Sequence, residues 1–281
     1  DSLYRIRQMT PDDVEAVVTL CFNEGWPAGI VIIKANFETD PESYFVGVCD
    51  GKIISYIAAT TFKDYSHISF FLVDKSYRRR GFGQQLFKHA VEHVKDVKYV
   101  GLYSVPDQIH TYEKFGFKTN GKVVKVGKMA EKWDESKNLT NLKKLNIEEV
   151  GQYDKLIVGH DRTKFLKLTL AQENNFGLGV YEDDKLKGYG ILREQNPEFG
   201  YWLSPLVADD VETAKELIKG LENLIVGKKL DMDIFEKDEK LCQFINENGW
   251  KEEEIFIRMD LRERENIKGV KICCPTFDTY Q

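Results

Sequence analysis

The sequence predicts an α/β (α+β) protein built from two tandem domains. The chain has 281 residues, more than the roughly 100–200 of a single domain. Strand-like runs and helical periodicities alternate along its whole length. The same order of elements also occurs twice: strand, helices, hairpin, strand, helix, strand, short helix, strand.

In the first half, "LYRIRQM" alternates like a strand. Thr10 caps the helix that follows, with Pro11 at its first position and acids in its first turn. "NEGWPAG" breaks that helix, and a short helix is expected over 31–37. "YFVGVCDGKIISYIAAT" is a hairpin turning at Asp50-Gly51. "HISFFLV" is a mostly apolar, central strand. A loop with three arginines and two glycines leads into a helix with Leu86, Phe87, Ala90, Val91 and Val94 on one face. "YVGLYS" is a strand, "QIHTYEKF" a short helix ended by Gly116, and "FKTNGKVVKVG" a strand or hairpin closing the domain. Residues 131–141 are polar and read as a linker. In the second half, "LKKLNIEE" is expected as a strand, followed by two helices and a hairpin turning at Asp183-Asp184. Strand "FGYWLSPL", a helix, strand "KLDMDIF", a helix and strand "EEIFIRMDL" complete it. The domains predicted are 1–130 and 142–281.

Composition narrows the function. With 42% hydrophobic and 31% charged residues, the chain can form real cores. It has no apolar run of the ~18 residues a membrane helix needs. "DSLYRIRQMT" is not patterned as a signal peptide. The five cysteines form no C-x-x-C and no His/Cys cluster, so no metal and no disulfide framework are expected, and reduced thiols in the cytoplasm fit. Residues 1–135 are neutral overall and 136–281 carry the whole net charge of −6. No general nucleic-acid surface is indicated, so Arg78, Arg79 and Arg80 are a local feature.

A strand, a glycine loop and a helix start make an anion site. The first amides of a helix have no internal partner, and the dipole favours negative charge there. Gly81 and Gly83 bring backbone close to a phosphate, and the arginines supply charged donors. The loop lacks the G-K-[ST] of a P-loop and the third glycine of a dinucleotide fingerprint. A basic turn that only caps a helix is the plainer alternative.

"VDKSYRRRGFG" resembles motif A of the GNAT superfamily of acyl-CoA-dependent N-acetyltransferases, Q/R-x-x-G-x-G/A, with Arg78, Gly81 and Gly83 in its fixed places. "TYEKFGFK" is similar to the family's motif-B segment, although the asparagine often found ahead of the tyrosine is absent. The resemblance covers residues 3–127. It implies a mixed, mostly antiparallel sheet flanked by helices, with acetyl-CoA as co-substrate. It implies further that the amides of Arg79, Arg80, Gly81, Phe82, Gly83 and Gln84 hold the pyrophosphate, that backbone groups of Leu72 and Val73 pair with the pantetheine arm, and that Tyr112 protonates the leaving thiolate. The base stays open between His67, Glu24, Asp74 and a water relay. Glu24 and Trp26 lie where the family grips its acceptor, with core packing as the alternative for Trp26. Cys21 and Cys49 lie outside the motifs, so direct transfer is expected.

The second half lacks this equipment. Aligned on Gly116-Phe117 and Gly249-Trp250, Ile245 stands where Tyr112 is. Aligned on Val73 and Leu203, "SPLVADDVET" replaces the arginine–glycine loop, and Asp209 and Asp210 precede the helix. The second domain therefore resembles the degenerate half of two-domain GNAT proteins and lines an acceptor site. Arg162, Arg193, Tyr201 and Trp202 are the candidates, with core packing or a surface salt bridge as their alternatives. The expected function is transfer of an acetyl or other short acyl group to a small-molecule amine rather than a protein. A non-catalytic acyl-CoA-binding sensor or scaffold is the rival.

Overall fold

The computed structural model describes residues 3–195, 198–236 and 238–262, and the backbone of 272–274. The described strands form a mostly antiparallel sheet flanked by helices. Contacts divide the chain into two compact units, one built on residues up to Thr119 with Met259–Arg262, the other on Asn120–Arg258. The expected boundary near 130 therefore moves, and the first unit takes a piece of chain from far downstream.

In the first unit β1 (Tyr4–Gln8) is followed by a short turn of helix capped reciprocally by Thr10 and Asp13. Helices α1 (Val14–Asn23) and α2 (Ile30–Thr39) come next. The hairpin of β2 (Tyr44–Cys49) and β3 (Lys52–Phe62) turns at Asp50-Gly51, both at positive φ, the geometry a two-residue turn requires. β4 (Tyr65–Val73) is central, between β3 and β5 (Tyr99–Ser104). Helix α3 (Phe82–His93) links them, burying Leu86, Phe87 and Ala90. Helix α4 (Ile109–Glu113) follows β5 and ends before Gly116, at φ +91°. On the other face of the sheet α1 and α2 cover Tyr44, Val46, Tyr56, Ala58 and Leu72.

β6 (Lys118–Met129) was expected to close this unit. Instead it pairs antiparallel with β11 (Lys229–Phe235) of the second. Its place beside β5 is taken by the end of β12 (Lys251–Arg262), whose Arg262 guanidinium donates to the carbonyls of Val94 and Val97. Backbone edges are chemically alike, so the alternation that marks a strand does not name its neighbour.

The second unit begins with a correction. Residues 131–138 are not a free linker: Glu131 N–H donates to Glu222 and Trp133 N–H to Asn223. β7 is Leu139–Asn141, and "LKKLNIEE" is a helical turn running into α5 (Ile147–Val158), because Asn141 and Asn146 each cap a turn. Helix α6 (Thr163–Leu170), hairpin β8 (Phe176–Glu182) and β9 (Lys185–Glu194), β10 (Tyr201–Ala208), α7 (Val211–Glu222), β11 and α8 (Glu239–Glu247) follow as expected. A further strand, β13 (Ile272–Cys274), pairs antiparallel with β10. Strand order is β12-β6-β11-β10-β9-β8-β7 here and β1-β2-β3-β4-β5-β12 in the first unit. Among the described residues no helix is long and apolar enough to cross a membrane.

Candidate active site

β4 and β5 run parallel and pair only from Tyr65↔Tyr99 to Ile68↔Leu102. Beyond Ile68 they part. A bulge drives the separation: the β3–β4 register shifts between Tyr56/Ala58, and Phe70 sits at φ +53°. Asp74 N–H donates to the Ile54 carbonyl at 2.8 Å. By antiparallel alternation Leu72 then spends its backbone groups on Tyr56, while Val73 turns its own towards the gap. Leu72 is therefore corrected: it gives the site a buried side chain, not backbone. Phe71, on the same alternation as Val73, takes its place. The Val73 carbonyl already accepts from Arg78 Nε at 2.8 Å.

The loop after β4 is held by Asp74, which accepts from Ser76 N–H at 2.9 Å and pairs with Lys52 at 3.4 Å. Burial pushes its carboxyl up, but the bonds from Ser76 and Lys52 prevail and leave it below its ordinary range. Asp74 is thus a cap, not a base. Gly81 lies at φ +81°, a backbone shape that needs glycine, and N-caps α3. A Cβ on Gly83 would meet Phe71 at 3.3 Å and Val73 at 3.4 Å. Gln85 N–H makes the first helical bond, to Gly81, so the amides of Phe82, Gly83 and Gln84 stand without helical partners. This row of donors lies at the positive end of a 12-residue helix, beside the fork.

The three arginines have different fates. Arg78 is committed to the Val73 carbonyl and to Glu24, at 2.5 Å. Arg80 donates to the Ser76 carbonyl and lies 5.2 Å over the Tyr77 ring. Arg79, at φ +61°, has no ion pair or hydrogen-bond partner among the described residues. Of the triplet, Arg79 alone has a free guanidinium for a phosphate.

Glu24 pairs with Arg78 and, at 3.9 Å, with Lys75, and so straps the loop after α1 to the arginine loop. That engagement removes it as a base. Trp26 is partly buried against the core under α1 and α2, which realises its packing alternative. Burial, with Glu24 adding, pushes the Cys21 thiol up to about 12, so it stays protonated and unreactive.

Tyr112 lies on α4 with its ring 5.2 Å from Phe87 and 6.4 Å from Phe71. Phe71 also borders Gly83, so the phenol and the row of amides flank one side chain. Burial raises the phenol to about 12, and its hydroxyl has no hydrogen-bond partner among the described residues. His67 is one register step below the parting of the strands, opposite Gly101. It is buried, with Nδ1 3.3 Å from Tyr65 OH and its ring 5.0 Å from Tyr103. Ser69, the first residue past the last β4–β5 pair, has a buried hydroxyl. Tyr65 and Ser69 were not singled out in the sequence, because only the bulge and the register give them a place.

The acceptor candidates of the second half lie in that unit's own interior. Arg162 is fully buried and grips Asp154 through two bonds of 2.9 and 2.6 Å, with Tyr189 OH on the same carboxylate at 2.5 Å. It is neither a cleft residue nor a surface pair. Arg193 is buried with Phe165 at 5.8 Å and Trp202 at 5.0 Å. Tyr201, against Phe176, and Trp202, under Arg193, remain partly exposed.

The second fork repeats the frame. β10 and β11 pair from Tyr201↔Leu230 to Leu203↔Met232, and β10 is then irregular up to Leu206. Asp209 N–H donates to the Lys187 carbonyl at 2.8 Å, as Asp74 does to Ile54. Ala208 is therefore the counterpart of Val73, and the alignment on Leu203 is five residues out. β9 covers one edge of Leu206–Ala208, so β13 lies on the edge facing the gap. Asp210 caps α7 by accepting from Thr213 N–H, and Ile245 is buried. Among the described residues no cluster could hold a metal ion.

A fork between parallel strands, an open row of helix amides and a phenol beside it define a protein of the acyltransferase class. The profile of the acetyltransferase (GNAT) family matches residues 12–117, and that of an acetyltransferase (GNAT) domain matches residues 150–268. The chain belongs to the GNAT acetyltransferases, with the family's domain present in tandem. It is 27% identical over 252 residues to a holothin acyltransferase of a Pseudoalteromonas species, covering 88% of this chain and 84% of the relative. It is 25% identical to an uncharacterized N-acetyltransferase, YitH, of Bacillus subtilis, over 83% of this chain and 81% of the relative. Among solved structures, a putative acetyltransferase of Pyrococcus horikoshii superposes with TM-score 0.79 at 20% identity, covering 93% and 91% of the two chains. A tandem GNAT protein from the clavulanic acid biosynthesis pathway superposes with TM-score 0.64 at 12% identity, covering 94% and 100%.

Proposed function

We propose that the first unit transfers an acetyl or other short acyl group from acyl-CoA to an amine by direct attack. The observation that carries this reading is the open fork beside the free amides of Phe82, Gly83 and Gln84. The fit is chemical: neutral donors at a helix start, with Arg79 beside them, suit a pyrophosphate, and the outward backbone of Val73 suits an extended amide arm. Acyl-CoA, as co-substrate, brings a thioester carbonyl for the amine nitrogen to attack.

His67 is the base that takes the amine proton, favoured over Glu24 because Glu24 is bound to Arg78. Tyr112 gives its proton to the departing sulfur. A phenol raised to about 12 stays protonated at neutral pH and holds that proton until a thiolate needs it. The acceptor is a small-molecule amine, in keeping with the relative named as a holothin acyltransferase. The second unit takes no acyl-CoA.

The test is thiol release from acetyl-CoA across a panel of amines, wild type against Tyr112→Phe. Turnover with one amine class and a large loss in the variant supports the enzyme. Acetyl-CoA raising the melting temperature with no amine consumed supports the rival, a non-catalytic binding module.

A further inference from the structure

Gly101 sits in the middle of β5, where a glycine weakens a strand unless something approaches closely. Something does. A Cβ there would lie 2.7 Å from Asp260 Oδ1 and 3.3 Å from Tyr65 OH. Two oxygens from different strands crowd one spot above a residue with no side chain. Asp260 is buried on the part of β12 that joins the first unit, and Tyr65 OH is also 3.3 Å from Nδ1 of His67.

A buried carboxylate needs donors, and a tyrosine hydroxyl has one proton to donate and lone pairs to accept. Resting on His67 as the base, we propose that Asp260 and Tyr65 are its positioning residues. Asp260 accepts the Tyr65 hydroxyl proton, and the Tyr65 oxygen accepts the Nδ1–H of His67. The imidazole is thereby fixed with its lone pair on Nε2, the nitrogen that takes the amine proton. The resulting imidazolium keeps its Nδ1–H on Tyr65, and the Asp260 charge stabilises it without taking a proton. The titratable groups around His67 are Tyr65 on β4, Tyr103 on β5 and Asp260 on β12; β3 offers Thr60, bonded to Tyr44 of β2. The catalytic unit thus depends on a strand drawn from the far end of the chain.

Nitrogen NMR of ¹⁵N-histidine-labelled protein reads the tautomer directly, with the His67 signals assigned by their loss in His67→Gln. The expected result is an Nδ1–H imidazole at neutral pH, which Tyr65→Phe, Asp260→Asn and Gly101→Ala each shift towards Nε2–H in protein that still melts cooperatively. The kcat of acyl transfer falls roughly tenfold to hundredfold in these variants while KM for acetyl-CoA holds, and Asp260→Glu recovers part of the loss. An Nε2–H imidazole in wild type, or a tautomer unmoved by both Tyr65→Phe and Asp260→Asn, overturns the proposal. Unchanged kcat in His67→Gln overturns the base reading instead, and the tautomer result still judges the positioning on its own.

Discussion

The two forks share a frame and differ in what fills it. In the first, β4 and β5 part after Ile68↔Leu102, and among the described residues no strand pairs with β4 beyond that point on that side. In the second, β10 and β11 part after Leu203↔Met232, and β13 lies along Leu206–Ala208. A strand takes up the backbone groups that the proposed pantetheine arm would use, so a filled fork has none to offer. The loops differ in the same sense. Gly81 leaves the start of α3 uncapped by a side chain, whereas the Asp210 carboxylate caps α7 and would repel a phosphate. One architecture thus carries an open site and a closed one, because function lies in the loop and the gap rather than in the fold.

Four experiments can break or sharpen that contrast. The largest expected effect is at Tyr112, which has Ile245 as its counterpart. Tyr112→Phe should lower kcat by about 10²–10⁴-fold with KM for acetyl-CoA unchanged, read by thiol release. Because the phenol is raised to about 12, its protonated form persists as pH rises, so Tyr112 should cause no loss of rate below pH about 11. Between the ordinary tyrosine value of 10.0 and about 12 the folded chain holds a proton that the unfolded chain has lost, so stability falls with rising pH in that window.

Arg162→Ala comes next. Stranding buried Asp154 should cost about 3–5 kcal/mol in denaturant unfolding. A stable variant with a raised KM for the amine would instead make Arg162 a ligand. The third effect is at the arginine loop, where Arg79→Ala should weaken acetyl-CoA binding by about 10–100-fold, the scale of a hydrogen bond to a charged group. Arg80→Ala should weaken it only a few-fold, about the worth of its stacking on Tyr77; calorimetry giving the reverse order would contradict the division of roles. The smallest effect is at the closed fork. Asp210→Gly should cost only a few tenths of a kcal/mol, since glycine also caps, and calorimetry should still count one acetyl-CoA per chain.

Much of this could be read from the chain. The hairpins at Asp50-Gly51 and Asp183-Asp184 came from turn chemistry, and α3 from the spacing of Leu86, Phe87 and Ala90. The arginine–glycine loop and Tyr112 lie within short stretches whose order fixes their neighbours. "LKKLNIEE", expected as a strand, is helical because Asn141 and Asn146 each cap a turn there. Buried charges were harder. Arg162 and Arg193 look like surface or ligand residues in a sequence, since only the partner, Asp154 or Trp202, makes burial tolerable.

What the sequence by itself determined is local: element types, turn positions, the glycine that a left-handed cap needs, and the absence of that glycine and of a phenol at the matching positions of the second half. These follow from backbone sterics and side-chain periodicity within a few residues of chain. Only the tertiary structure decided that β6 joins the second unit while the end of β12 joins the first, that one arginine of three stays free, that β13 fills the second fork, and that Asp260 stands over Gly101 beside Tyr65. Each of these turns on which distant groups meet. Strand edges offer the same donors and acceptors whatever the residue, so the choice of partner is made by packing over the whole chain.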